Sequence, residues 1–220
     1  MTFDRPEASR LAEMRDAMID SQLRPNGVTD PALIAAFEGV DRDRFVPDAR
    51  AAFAYHDEEI ELAPGRFLMA PMPLGKLLGA ADIRPGERVL IIGGGTGYSA
   101  AICAGLGTAV TLVEEQEMAD RAADALGDST VEIVAGPLSG GADGADPFDL
   151  MIVEGTVEHL PDTLTAQVKD GGRIVTVIVD DGVARGGVAK VYGGHLGWTF
   201  FMDADAPVLP GFAKKREFVF

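Results

Sequence analysis

The sequence predicts a doubly wound α/β fold: a mostly parallel sheet, helices on both faces, and an antiparallel edge at the C-terminal side. Three observations carry this expectation. Val89-Leu90-Ile91-Ile92 is a continuous apolar run bounded by Pro85-Gly86 and Gly93, the pattern of a strand buried on both faces. Helix-type and strand-type segments then alternate as far as Val179, which implies parallel strands joined by crossover helices. From Gly187 onward the segments are strand-like with short connections.

In chain order, Leu11, Met14, Met18 and Leu23 recur at helical spacing over Glu7 to Leu23, and Pro25-Asn26-Gly27 stops that helix. Asp30, followed by Pro31, is placed to cap a short helix reaching Phe37. The stretch Arg44 to Pro73 holds Pro47, Pro64, Gly65, Pro71 and Pro73 and reads as irregular. After the first buried strand come a helix over Tyr98 to Ala104, a strand over Ala109 to Val113 and a helix over Gln116 to Leu126. Strands follow over Val131 to Val134, Phe148 to Val153 and Arg173 to Val179, with a helix over Pro161 to Val168. Asp180 to Gly187 is rich in Asp and Gly and reads as a mobile turn. Gly187 to Tyr192, Gly197 to Met202 and Glu217 to Phe220 read as the antiparallel edge, with Trp198, Phe200 and Phe201 packing on it.

The 220 residues, 47% hydrophobic and 25% charged, suit one domain over 1–220, with a helical and irregular segment over 1–80 leading into a core over 81–220. A net charge of -16 repels phosphate backbones, so no nucleic-acid partner is expected, and Lys214-Lys215-Arg216 reads as a solvated turn. The one cysteine, Cys103, sits among small apolar residues and reads as core. No apolar run approaches the roughly 18 residues that span a bilayer, and the N-terminus has no apolar signal core, so no membrane partner and a cytoplasmic location are expected. His56, His159 and His195 share no ligand spacing, and no metal site is expected. The apolar tail with Val208, Leu209, Phe212, Phe218, Val219 and Phe220 covers the core or forms a dimer surface, which leaves monomer and homodimer both open.

Gly93-Gly94-Gly95-Thr96-Gly97 stands between the first buried strand and a helix, where glycines permit a tight turn and close approach to a ligand. The next strand ends at Glu114, with Glu115 beside it. In nucleotide-binding sheets an acid about 20 residues beyond the glycines accepts from ribose hydroxyls. Together these features point to a ribose-containing cofactor; NAD is the weaker candidate, because the glycines are not spaced G-x-G-x-x-G.

Several motifs resemble the protein-L-isoaspartate O-methyltransferase family. They are Met18-Ile19-Asp20-Ser21-Gln22-Leu23, Gly27-Val28-Thr29-Asp30, Val40 to Pro47, Ala54-Tyr55-His56-Asp57, Val89 to Tyr98, Phe148 to Val153, Leu160-Pro161 and Gly171-Gly172-Arg173. The match runs from about residue 14 to 178. The resemblance implies a Rossmann-like class I methyltransferase sheet. It implies S-adenosylmethionine as cofactor, with Gly93, Gly94, Gly95, Thr96, Gly97, Glu114 and Gly136 as cofactor residues. Glu154, by its place after the Phe148 to Val153 strand, points toward the cleft and reads either as a contact to cofactor or a substrate amine or as a solvated strand end. It also implies methyl transfer to the free carboxyl of isoaspartyl residues in damaged proteins or peptides, a repair reaction.

The chain departs from the family where the substrate loop reads approximately G-Q-T-I-S-Q-P. Here it is Gly65-Arg66-Phe67-Leu68-Met69-Ala70-Pro71, with Phe67 and Met69 in place of hydroxyl residues. Arg66, Phe67 and Met69 are the candidate catalytic positions, and Arg66 reads either as a bidentate partner for a substrate carboxylate or as a surface arginine. The acid usual near the end of the first strand is Ile91, and the aspartate usual after Gly136 is Pro137. Three readings stand: an isoaspartyl methyltransferase, a methyltransferase with another acceptor, and a non-catalytic relative with a binding or structural role.

Overall fold

A computed structural model describes residues 5–204 and 207–214. Helix α1 (Ala8–Met18) buries Leu11 and Met18 and passes directly into a wider helical turn over Ile19–Leu23. Gly27, at φ 87°, ends this segment in a conformation that glycine adopts without strain. The cap expected at Asp30 is formed: its Oδ1 accepts from the Leu33 N–H at 2.7 Å and starts α2 (Pro31–Gly39).

The stretch expected to be irregular is more ordered than its prolines suggest. Short 3-10 turns cover Arg42–Phe45 and Asp48–Phe53. An antiparallel hairpin follows, β1 (Ile60–Ala63) and β2 (Arg66–Leu68), and then α3 (Pro71–Ala80). The prolines punctuate instead of disrupting. Pro64 lies in the hairpin turn with Gly65 at φ 74°, while Pro71 and Pro73 fall in the first turn of α3, where no N–H is required.

The main sheet contains β3 (Arg88–Ile92), β4 (Ala109–Glu114), β5 (Glu132–Ala135), β6 (Phe148–Val157), β7 (Val168–Asp180), β8 (Val183–Tyr192) and β9 (His195–Asp203). Their order is β5-β4-β3-β6-β7-β8-β9. The first five pair parallel, and β8 and β9 add antiparallel, as the change of pattern at the C-terminal side predicts. Helices α4 (Tyr98–Gly105) and α5 (Gln116–Leu126) make the first two crossovers.

Side chains alternate cleanly across the central strands. Val89, Ile91, Leu112, Leu150, Ile152, Val175 and Val177 point to one face, with Leu33, Phe37, Leu74, Leu77, Tyr98, Ile102 and Met118 packed over them from α2 to α5. Leu90, Ile92, Val113, Met151, Val153 and Ile174 point to the other. That second face is covered by Leu138, Leu160, Leu164, Leu209 and Phe212, which come from loops and a single helical turn, α6 (Asp162–Thr165). Helices on both faces is therefore an expectation met unequally.

Three further expectations are corrected. The helix expected over Pro161 to Val168 shrinks to α6, because β7 already begins at Val168 and takes those residues into the sheet. Strand β6 continues past Val153 to Val157, so Glu154 lies within it. The mobile turn expected over Asp180 to Gly187 is a tight Asp181-Gly182 reversal, φ 48° and 81°, and the ladder resumes at Val183. An Asp-Gly pair with positive φ matches the twist of a hairpin, so the acidic, glycine-rich composition marks a turn type instead of mobility. The strand expected over Glu217 to Phe220, and Lys215-Arg216, lie outside the described residues.

On the edge strand β9, Trp198 stacks on Phe200 with ring centroids 6.1 Å apart and planes 3° from parallel, and Arg185 lies over the Phe200 ring. Among the described residues, no helix is long and apolar enough to cross a membrane. No group of three or more His, Cys, Asp or Glu among them is placed to hold a metal.

Candidate cofactor site and substrate hairpin

The glycine turn sits at the carboxyl end of β3, with Gly93, Gly95 and Gly97 at φ 74°, 61° and 94°. These angles suit glycine, and the three N–H groups are used within the fold, by the Val113 carbonyl, Glu114 Oε1 and the Gly94 carbonyl. Gly97 starts α4, and Thr96 Oγ1 donates to the Phe45 carbonyl, which ties the turn to the N-terminal segment.

Glu114 closes β4 and is wholly buried. Its Oε1 accepts from the Gly95 N–H and from Arg66 Nη2, each at 2.6 Å. Burial pushes its carboxyl above the ordinary glutamate range, and the Arg66 guanidinium pulls it back toward the anion. Glu115, the other candidate acid, is half exposed and meets Arg66 Nη1 at 3.5 Å. The expectation of a surface arginine is therefore corrected by its burial. Arg66 is 6% exposed and spends its fork on the two acids at the end of β4.

Glu154, expected at a strand end facing the cleft, is buried inside β6 and accepts a hydrogen bond from Ser99 Oγ at the start of α4. Desolvation raises its carboxyl to about 7, with the Glu114 charge adding to the rise and the Ser99 hydroxyl opposing it. Phe67 is partly exposed on the hairpin, and Met69 is buried beneath it. Gly136 follows β5, where its N–H donates to the Glu114 carbonyl at 2.9 Å; Pro137 is exposed, and Ile91 is buried in the sheet.

Sequence reasoning missed the residues that shut this cleft. Leu62 of β1 lies 2.7 Å from where a Cβ on Gly95 would stand, and its carbonyl accepts from Arg121 Nη1 at 2.6 Å. Leu209 of the tail packs on Gly93 and Gly155, held by the bond from its own N–H to the Thr156 carbonyl at 2.9 Å. Arg42, wholly buried, donates to the carbonyls of Ala54 (2.6 Å) and Met69 (2.7 Å) and lies over the Tyr98 ring, so it fixes the base of the substrate loop. In sequence it is one charge in Asp41-Arg42-Asp43-Arg44, and nothing there distinguishes it from its neighbours. The cavity left between Arg66, Phe67, Met69, Glu154 and Leu209 has a volume of about 30 Å³. Small-molecule sites need ~300 Å³ or more. Leu62, Leu209 and Arg66 lie over the turn and the buried Glu114 carboxylate, and a second cavity of about 630 Å³, lined by Phe45, Leu62, Thr96 and Arg121, reaches the turn at Thr96.

The sequence pattern describing the protein-L-isoaspartate(D-aspartate) O-methyltransferases matches residues 13–185. The chain belongs to that family. It is 34% identical to protein-L-isoaspartate O-methyltransferase 1 of Rhodopseudomonas palustris over 81% of this chain and 75% of that one. With the Methylorubrum extorquens protein-L-isoaspartate O-methyltransferase it shares 37% over 74% and 73%. A solved protein-L-isoaspartate O-methyltransferase superposes at TM-score 0.78 with 23% identity, covering 90% of this chain and 66% of its own. A Plasmodium falciparum structure of this class, in complex with S-adenosyl-L-homocysteine, superposes at 0.75 with 16% identity, covering 90% and 97%. At those identities the two structures speak for the shared fold alone.

Proposed function

We propose that this chain is an S-adenosylmethionine-dependent methyltransferase acting on the free carboxyl of isoaspartyl residues in proteins or peptides. Family membership over most of the chain carries the reading. The cofactor supplies an electrophilic methyl group, and the acceptor carboxylate is already a nucleophile at neutral pH, so the protein's work is placement and exclusion of water. Gly93 to Gly97 permit close approach of a ligand to the backbone, and Glu114 offers the acceptor for ribose hydroxyls. Hairpin β1–β2, carrying Arg66 and Phe67, and Leu209 of the tail form the cover that keeps water out.

The test is transfer of a labelled methyl group from S-adenosylmethionine to an isoaspartyl peptide, against the same peptide with ordinary aspartate. Label on the first alone supports the reading. Label on neither, with S-adenosylhomocysteine still bound in calorimetry, overturns it in favour of a binding role. The replacement of loop hydroxyls by Phe67 and Met69 favours that second reading.

A further inference from the structure

We propose that Arg66 is a two-position residue: it seals Glu114 while the site is closed and, once a ribose displaces it, pairs with the acceptor carboxylate, so that cofactor binding precedes and promotes acceptor binding. The inference rests on the methyltransferase reading above. Its first half stands on geometry. Glu114 Oε1 already accepts from both Arg66 Nη2 and the Gly95 N–H, and the residue has no exposed surface. A ribose hydroxyl reaches that carboxylate only after the guanidinium has moved. Leu62, from the same hairpin, covers Gly95, so one hairpin hides both the ribose acid and the turn.

The hairpin itself is short. Its strands are four and three residues long and pair only with each other. An isolated two-stranded hairpin is at best marginally stable in water. Buried Ile60, Leu62 and Leu68 anchor it in the core, and the Arg66 pairs and the Arg121 bond to the Leu62 carbonyl add to that hold, so the guanidinium can turn away by breaking its own two pairs while the strands stay seated.

The second half follows from charge. A guanidinium lifted from Glu114 needs another anion, and a buried carboxylate left behind needs donors. Ribose hydroxyls satisfy the second requirement. A planar acceptor carboxylate satisfies the first, in the bidentate geometry that suits arginine. Arg66 already lines the small cavity shared with Phe67, Met69 and Glu154, so the distance it must cover is short. Phe67 and Met69 offer no hydroxyl there, which leaves the donor role on this loop to Arg66. Each charge keeps a partner only when the cofactor enters first.

Calorimetric titration of the full chain with S-adenosylhomocysteine, for the wild type, Arg66→Ala and Arg66→Gln, tests the seal. Removing it raises the fraction of binding-competent molecules. Both variants are expected to bind about tenfold more tightly, ~1.4 kcal/mol. Their KM for an isoaspartyl peptide is expected to rise by about tenfold, again ~1.4 kcal/mol. A purely structural arginine would lower the melting temperature and weaken both affinities together; that result overturns the proposal. Equal S-adenosylhomocysteine affinity in all three proteins overturns the seal and leaves the methyltransferase reading standing, whereas binding by none of them overturns both. Arg66→Gln keeps a donor toward Glu114, so the comparison holds even if the alanine variant does not fold.

Discussion

Glu114 and Glu154 stand on either side of the glycine turn, on the two strands that flank β3. Both are buried, yet one faces an arginine and a backbone N–H, and the other a single serine hydroxyl. The partner decides what burial does. At the end of β4 a cation offsets desolvation, and the acid becomes one half of an ion pair that holds a hairpin down. In β6 no such cation is in hydrogen-bonding contact, and the carboxyl moves up to about 7. Equal burial thus produces a clasp at one strand and a neutral-range titrating group at the other.

The contrast is broken most forcefully at the clasp. Glu114→Ala leaves the Arg66 guanidinium buried with one distant partner, and chemical denaturation is expected to show a loss of ~3–5 kcal/mol. At the other strand the effect depends on pH. The Glu154 carboxyl titrates near 4.5 in the unfolded chain and near 7 in the fold. Below pH 4.5 both forms are protonated and nothing is lost. As pH rises toward 7 the unfolded chain ionises first, and stability is expected to fall by about 1 kcal/mol per pH unit. Glu154→Gln should remove that slope; a slope unchanged in the variant assigns it to other groups. Ser99→Ala removes the one hydroxyl that favours the anion, so the same slope should extend to higher pH, with ~1.5 kcal/mol lost above the midpoint. Asp30→Ala, far from both acids, serves as the control: its lost cap costs about 1 kcal/mol in denaturation and leaves S-adenosylhomocysteine affinity where it was.

The same contrast explains what sequence reasoning could see. β3, β4 and α5 are written in local patterns, an apolar run or a helical repeat, and fall within a residue of where those patterns put them. Glu114 is legible because strand, turn, helix and strand lead to it in order. Its partner is not, since Arg66 joins it across 48 positions, from a hairpin inside a stretch that its prolines make read as irregular. Glu154 reads as a strand end because the apolar run stops at Val153 and Gly155 follows it. In the fold that glycine, at φ 137°, is an irregularity that lets β6 run on beneath Leu209. Arg42 and Leu62 act through carbonyls and packing, which leave no mark on composition.

The aromatic stack on β9 has a spectroscopic consequence. Trp198 is the sole tryptophan, and it sits at the outer edge of the antiparallel addition, several strands from the glycine turn. Indole emission will therefore witness the fraying of that edge, while the parallel strands that carry the ligand residues stay silent. A melt followed by this fluorophore and one followed by backbone ellipticity will coincide only if edge and core come apart as one cooperative unit.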